Sequence, residues 1–392
     1  MRKRKRIALT RKADRIAPFY VMELLEQARE IEHRGETVVH MEIGEPDFQT
    51  PETVKRAAIK AIQENRTYYT ESLGLPELRE RIADHYQKVH RVSISPERIV
   101  ITNGTSGAFL LLSTVLLNGN RNLLLSDPGY PCYKNFGVLA GARVKAIPVS
   151  EASGFEIRVE DLHDLKGLPH LLLIASPSNP TGTLYGPESL GRLWAFVSRR
   201  NGVMVVDEIY SGLTYGESFR TALAVSDDII VVDGFSKTYA MTGWRLGWVV
   251  VPPALVRPIQ KVAQNVFISA PTISQYAAIQ ALDALTEVEQ MRRVYRERRD
   301  FLLPELTRLG FSVPVEPQGA FYIYAGIERW KLDSMDFVQR ALHEAKVALT
   351  PGYDFGLFRA DSHIRFSFAN SVEELRKGCS RLDTWLQTLP TN

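Results

Sequence analysis

Cysteine is nearly absent from this chain. Cys132 and Cys379 are the only two in 392 residues, they stand far apart, and neither belongs to a CxxC pair or a Cys/His cluster. That excludes a disulfide framework and a thiolate metal site, and it points to a reducing compartment, the cytoplasm. No run is long and apolar enough to span a bilayer, and no continuous apolar segment follows the basic N-terminus as a secretory signal requires. Charge of one sign is also scarce: the formal net charge is +3, too small a field to mark a nucleic-acid or membrane partner. The basic residues that do cluster, Arg2-Lys3-Arg4-Lys5-Arg6 and Arg11-Lys12, read as a solvated arm. The aromatic interleaving or helix-turn-helix that nucleic-acid binding would use is missing. Internal repeats, a Walker A loop and GxGxxG are missing too, so nucleotide binding is not indicated.

What is present is an alternation. Short β-branched or leucine-rich runs at 98–102, 122–126, 143–149, 170–175, 203–207, 229–233 and 246–251 predict strands covered on both faces. Helical segments separate them at 104–117, 130–140 and 187–200, the last with Pro187 near its start, where a missing N–H costs nothing. The pattern predicts an α/β fold: a large domain with a seven-stranded, mainly parallel sheet covered by helices. From about Ser274 the pattern changes. A long charged helix over 277–309 carries Arg292, Arg293, Arg296, Arg298 and Arg299 on what reads as a solvated face. Gly319–Tyr324, a helix over 334–345 and Ile364–Phe368 follow, predicting a smaller α+β domain built from the C-terminal third and the N-terminal segment. The expected division is 1–45, 46–285 and 286–392.

Several residues sit where such a sheet presents its strand ends, which is where open α/β folds bind ligands. Lys237 follows Ser236 just after one buried run, and Arg245 occupies a glycine-flanked turn before the next. A lysine buried there among cations loses its proton readily and traps carbonyls, which suggests a covalent bond to an aldehyde cofactor with a phosphate near Ser236 and Arg245. Asp207 ends the run Val203–Val206. A buried carboxylate needs a partner: either an N-cap or ion pair, or a cationic ring nitrogen, with Tyr210 on the same side. Asn179, in the turn Ser176–Gly182, offers an amide donor or is ordinary turn chemistry. Asn103-Gly104-Thr105-Ser106-Gly107 opens a helix with small residues, which suits a phosphate at the positive end of the helix dipole. Arg365 alternates with Ile364, Phe366 and Phe368, so it either faces solvent or offers its fork to a carboxylate. Tyr130 is either a core aromatic or a stacking lid. Tyr68-Tyr69 are edge aromatics or contacts to another chain.

Taken in order along the chain, these motifs resemble the class I, fold-type I pyridoxal-phosphate aminotransferases of the bacterial aspartate-aminotransferase-like group. The resemblance runs from Glu42-Ile43-Gly44-Glu45-Pro46-Asp47-Phe48 through Gly74-Leu75-Pro76-Glu77-Leu78-Arg79 to Arg365. It implies pyridoxal 5′-phosphate as cofactor and an amino acid and a 2-oxo acid as substrates, exchanged by a ping-pong mechanism. Lys237 resembles the Schiff-base lysine and Asp207 the acid on the pyridine nitrogen. Tyr210 and Asn179 resemble the donors to the ring oxygen, and Tyr130 the stacking aromatic. Thr105, Ser106, Ser236 and Arg245 resemble the phosphate cup. Tyr69 matches a tyrosine that reaches the neighbouring subunit's phosphate, which implies a homodimer with shared active sites. Arg365, Asn179 and the backbone at Gly44 resemble the clamp on the substrate α-carboxylate.

One position departs from the pattern. Some aspartate-preferring members carry a lysine in the phosphate loop that pairs with the distal carboxylate; the matching residue here is Thr105. A buried carboxylate without a partner is costly. The expected donors are therefore neutral: alanine, methionine or aromatic amino acids, with pyruvate or 2-oxoglutarate as acceptor. Aspartate remains an alternative if a cation of the N-terminal arm or a partner chain supplies the charge. A C–S β-lyase would share Lys237, Asp207 and Arg365. A ligand-sensing regulator would need an added DNA-binding module, for which the stretch ahead of Gly44 is too short.

Overall fold

The computed structural model describes residues 10–163, 170–216 and 219–391; the basic run Arg2–Arg6 lies outside them. A first short strand, β1 (Val39–His40), precedes the seven that the alternation predicts. These are β2 (Ile99–Thr102), β3 (Asn122–Asp127), β4 (Arg143–Pro148), β5 (Leu171–Ala175), β6 (Val203–Asp207), β7 (Ile230–Gly234) and β8 (Gly247–Val250). They form one sheet in the order β2-β8-β7-β6-β5-β3-β4. Every pairing is parallel except the two that β8 makes with β2 and β7. A parallel return needs a crossover element, usually a helix. The connection from Gly234 to Gly247 contains none, so β8 comes back antiparallel, and that helix-free connection is the segment that carries Lys237 and Arg245.

Side chains alternate across each central strand. Met204 and Val206 join one core layer with Leu172, Ile174 and Val231. Val205 joins the other with Leu171, Leu173, Ile230 and Val232. Both faces are therefore dry, which is why the strands read as continuous apolar runs. Fully burying such a side chain contributes roughly 1.5–3 kcal/mol relative to leaving it exposed.

Helices cover both faces. Ahead of the sheet lies α1 (Tyr20–His33). The helix α2 (Gly104–Leu116) fills one layer with Ala108, Phe109, Leu111, Leu112 and Leu116. On the opposite face, α3 (Pro187–Ser198) supplies Leu190, Leu193 and Val197.

The expected single helix over 277–309 is two: α4 (Thr272–Ala281) and α5 (Leu285–Leu309). No glycine or proline marks the break. It falls at Leu282–Ala284, where the Asp283 carboxylate pairs with Arg81. The solvated-face reading also fails for two of its five arginines. Arg298 and Arg299 are buried. Arg298 grips Asp47 with two bonds of 2.7 Å, and Arg299 donates to the Pro317 carbonyl at 3.0 Å and pairs with Glu316.

The smaller domain has its own core, with Phe311, Phe321, Phe337, Phe366 and Trp385. Its strands are β9 (Tyr322–Gly326), β10 (Val347–Ala348), β11 (Thr350–Pro351) and β12 (His363–Ser367). The strand β12 lies between β11 and β9, antiparallel to both, with Arg365 opposite Thr350 and Tyr324. The N-terminal segment joins this domain through β1, parallel to β10, with Val39 opposite Val347. The molecule is thus a two-domain α/β protein.

Candidate active site

The parallel strands end at one edge of the sheet, and the loops that leave them line a cleft of about 430 Å³. Thr105 and Ser106 enter it after β2, Tyr130 after β3, Asn179 after β5, Asp207 and Tyr210 at the end of β6, and Ser236, Lys237 and Arg245 after β7. The smaller domain adds Tyr322 and Arg365, and the N-terminal segment adds Glu42, Gly44 and Glu45. Eleven of the twelve residues singled out from sequence therefore meet in one place. The twelfth, Tyr69, is 77% exposed and away from this chain's own cleft.

At one end of the cleft, Lys237 Nζ donates to the Gly44 carbonyl at 2.5 Å. Burial pushes its amine down to about 8, and Arg365 and Arg245 add to the effect while Glu45 opposes it. Asp207 is fixed by two donors: the Tyr133 hydroxyl at 2.6 Å and the Ile209 amide at 3.1 Å. Burial raises its carboxyl to about 6 against those bonds and against Lys237. A cation placed beside it would draw that value down again.

The loop after β2 turns into α2 with no acidic residue in the helix's first turn, so the helix's free N–H groups and positive dipole end face the cleft unopposed. A Cβ on Gly104 would come within 2.7 Å of Arg245 Nη2, and one on Gly247 within 3.0 Å of the Thr105 amide nitrogen. Only hydrogen at both positions lets the Arg245 guanidinium and β8 press on this turn. Arg245 itself takes a left-handed φ of 51° and donates to the Thr242 carbonyl at 2.8 Å.

At the other end, Arg365 is 2% exposed, so of its two sequence readings the cleft holds. Nη1 donates to Asn179 Oδ1 at 3.0 Å, and Nη2 to the Glu42 carbonyl at 2.5 Å and Thr350 Oγ1 at 3.1 Å. Its Nε has no partner among the described residues. With Asn179 Oδ1 taken, the amide nitrogen of Asn179 is the end left to donate. The Tyr210 and Tyr322 hydroxyls share a hydrogen bond of 2.9 Å. Tyr130 meets Tyr133 edge-on at 5.2 Å and Phe19 at 6.5 Å.

The sequence reading missed Tyr133, Tyr322, Glu42 and the α1 wall formed by Met22, Leu25 and Arg29. Tyr133, three residues after Tyr130 at a helix start, carries no local mark of its bond to Asp207. Among the described residues no His, Cys, Asp and Glu cluster is placed to hold a metal, and no helix is long and apolar enough to cross a membrane.

A family model, aminotransferase class I and II, matches residues 36–382. The chain belongs to this family, and it is an aminotransferase dependent on pyridoxal phosphate. Among its relatives, a valine–pyruvate aminotransferase of Mycobacterium tuberculosis is 36% identical over 375 residues, covering 95% of this chain and 97% of that protein. A (5-formylfuran-3-yl)methyl phosphate transaminase of Methanocaldococcus jannaschii is 38% identical, covering 94% and 96%. Among solved structures, an aminotransferase from Mycobacterium tuberculosis superposes with a TM-score of 0.94 at 34% identity, covering 98% of this chain and 100% of that one. Thermus thermophilus aspartate aminotransferase with maleate superposes with a TM-score of 0.91 at 33% identity, covering 97% and 100%.

The residues present fit the cofactor. A neutral-capable lysine, a buried carboxylate and an unopposed helix N-terminus with an arginine over it are three separate demands of an aldehyde, a ring nitrogen and a phosphate.

Proposed function

We propose that this chain moves the α-amino group of a neutral L-amino acid to a 2-oxo acid. Bound in the cleft, pyridoxal phosphate supplies an aldehyde for the amino group and a ring that draws electron density from Cα. Thr105, Ser106, Ser236 and Arg245 hold its phosphate against the N-terminus of α2. Asp207, held by Tyr133, keeps the ring nitrogen protonated, while Tyr210 and Asn179 donate to the ring oxygen. Tyr130 stacks on the ring face. Arg365, with Asn179 and the Gly44 backbone, receives the substrate α-carboxylate and so fixes Cα beside Lys237. Lys237 then takes the proton from Cα and returns one, acting as base and acid in turn. In this division residues 46–285 carry the cofactor, and 1–45 with 286–392 carry the carboxylate clamp.

The observation that carries the reading is the convergence of Lys237 and Arg365 on one cleft from two domains. The preference for a neutral donor rests on Thr105 in the phosphate loop and on the apolar wall of Phe19, Val21, Met22, Leu25 and Ile43. The relatives' names include both valine–pyruvate and aspartate aminotransferases, so a donor panel decides. Each amino acid is added singly to the holoenzyme, the cofactor absorbance is followed, and then a 2-oxo acid is supplied. Alanine, methionine or aromatic donors should bleach the visible band faster than aspartate, and the oxo acid should restore it. Faster reaction with aspartate would overturn the neutral preference.

A homodimer with shared sites belongs to the same proposal. Tyr68 and Tyr69 are 81% and 77% exposed, and Ile59 and Ile62 are exposed too, large apolar side chains of the kind that interfaces cover. Tyr69 of a second copy would then reach the phosphate. A cytoplasmic setting fits Cys132 and Cys379, both of which are free thiols.

A further inference from the structure

A second cavity lies against the segments that carry the catalytic side chains. It encloses about 260 Å³ and shares no lining residue with the cofactor cleft. The two are nonetheless neighbours along the chain. Lys237 and Tyr210 line the cleft, while the residues that follow them, Thr238 and Ser211, line this cavity. Thr238 Oγ1 accepts from the Gly212 amide at 3.3 Å, and the Ser211 hydroxyl donates to Asp233 Oδ2 at 3.0 Å. Asp233 is 4% exposed, and its other oxygen takes the Gly234 amide at 2.6 Å.

Two polar atoms around this cavity are left over. His90 Nδ1 and Arg292 Nε are buried and make no hydrogen bond among the described residues. A buried polar atom without a partner is costly, so two at one cavity call for a polar occupant, water or ligand. The lining carries charge of both signs. Burial pushes the His85 and His90 imidazoles down to about 4, which leaves Arg292 as the cation of this lining at neutral pH. Arg292 meets Glu289 through Nη2, so its Nε remains to donate. Asp233 has used two of its roughly four acceptor positions. Burial and the neighbouring Glu208 hold its carboxyl well above the usual carboxylate range, and an added cation would offset both. Leu285 and Val288 share a face of α5 with Arg292 at i, i+3 and i+7, and with Val89 and Trp248 they supply apolar lining.

We propose that this cavity binds a free aliphatic amino acid, with its carboxylate on Arg292, its ammonium on Asp233 and its side chain against the apolar lining. The volume holds about nine water-sized groups at about 30 Å³ each, the size of leucine. A simple anion would leave Asp233 without a cation, and a simple amine would leave Arg292 Nε without an acceptor. No lysine lines the cavity, so the amino acid is held there whole. It rests on the residues next to Lys237 and Tyr210 without meeting the cofactor.

The test uses borohydride-reduced holoenzyme, in which the cofactor is fixed to Lys237. Wild type, Arg292→Ala and Val288→Trp are titrated calorimetrically with L-leucine, 4-methylpentanoate and 3-methylbutylamine, which are leucine and its two halves. Each half should bind at least about tenfold more weakly than leucine, or about 1.4 kcal/mol. Arg292→Ala should weaken leucine and 4-methylpentanoate about tenfold and leave 3-methylbutylamine unchanged. Val288→Trp, which fills the cavity from its rim, should remove this binding event. Turnover of the unreduced Arg292→Ala enzyme without added leucine should match wild type, as expected of a residue outside the catalytic cleft. Leucine binding that is unchanged in both variants belongs to the catalytic cleft and overturns the site. So does a wild type that binds no leucine, in which water alone fills the cavity. If 4-methylpentanoate binds as tightly as leucine, Asp233 takes no ammonium and the amino-acid assignment falls.

Discussion

The two ends of the cleft are built differently. The cofactor end consists of strand termini and the turns between them. Asp207 is buried with both carboxylate oxygens engaged. Lys237 is half-buried, and the α2 turn is pressed by Arg245 and β8. The side-chain end is one face of an exposed helix, where Met22 is 50% exposed and Arg29 is free of partners among the described residues. The fixed end tunes pKa values by burial, which needs a rigid, dry environment. In the proposed reading the exposed end selects among side chains, and its groups can change with little cost to the core. Chemistry common to all substrates and choice among them are thus placed on parts with different tolerances.

Breaking the fixed end should have the largest effects. Lys237→Ala should abolish turnover and the visible absorbance of the bound cofactor; near-normal turnover would sink its assignment. In the stripped wild-type chain, capture of added pyridoxal phosphate should accelerate as pH rises through about 8, because only the neutral amine is a nucleophile and burial has lowered its pKa to that region. A rate flat from pH 6 to 10 would contradict this. Asp207→Asn keeps the shape and loses the charge. Turnover should fall on the order of 100- to 1,000-fold while the protein's melting temperature holds or rises, since a costly buried carboxylate has gone.

The substrate clamp lies between the two extremes. Arg365→Lys keeps a charge but loses the fork that spans Asn179 and the incoming carboxylate. A loss of about 2–3 kcal/mol, roughly 30- to 150-fold in kcat/KM, is expected for every amino acid alike. That uniformity is the contrast with the apolar wall of α1, where substitution of Met22 or Leu25 should separate donors by side chain. If Arg365→Lys discriminated among side chains, the division of labour between the two ends would fail.

Much of the fixed end was legible because parallel strands buried on both faces announce themselves as apolar runs, and the residues just past them must line the binding edge. Lys237, Asp207, Asn179 and Arg245 are found that way. The exposed end was not legible. Met22, Leu25 and Arg29 belong to an ordinary amphipathic helix, and nothing local says that one of its faces closes a cleft rather than meeting solvent. Arg298 and Arg299 failed for the same reason: their partners Asp47 and Glu316 are distant in sequence, so a charged helix read as solvated. Tertiary partners decided each of these, and no periodicity contains them.

The smallest effect should come from the link that joins the two ends. His40 bridges Glu32 on α1 and Glu42 beneath Arg365. Its hydrogen bonds and charge interactions with Glu42 and Glu32 raise its pKa from 6.5 to about 9 against the effect of burial. The folded state therefore binds this proton more tightly than the unfolded chain. The resulting stability is fully present below about pH 6.5 and is lost as pH rises through about 9. His40→Gln should cost about 1–2 kcal/mol in denaturant melts at pH 6, and the gap to wild type should shrink at pH 9.5. A stability gap that widened with pH would mean that His40 is held as a neutral ring, and α1 would then be positioned by Asp354 alone.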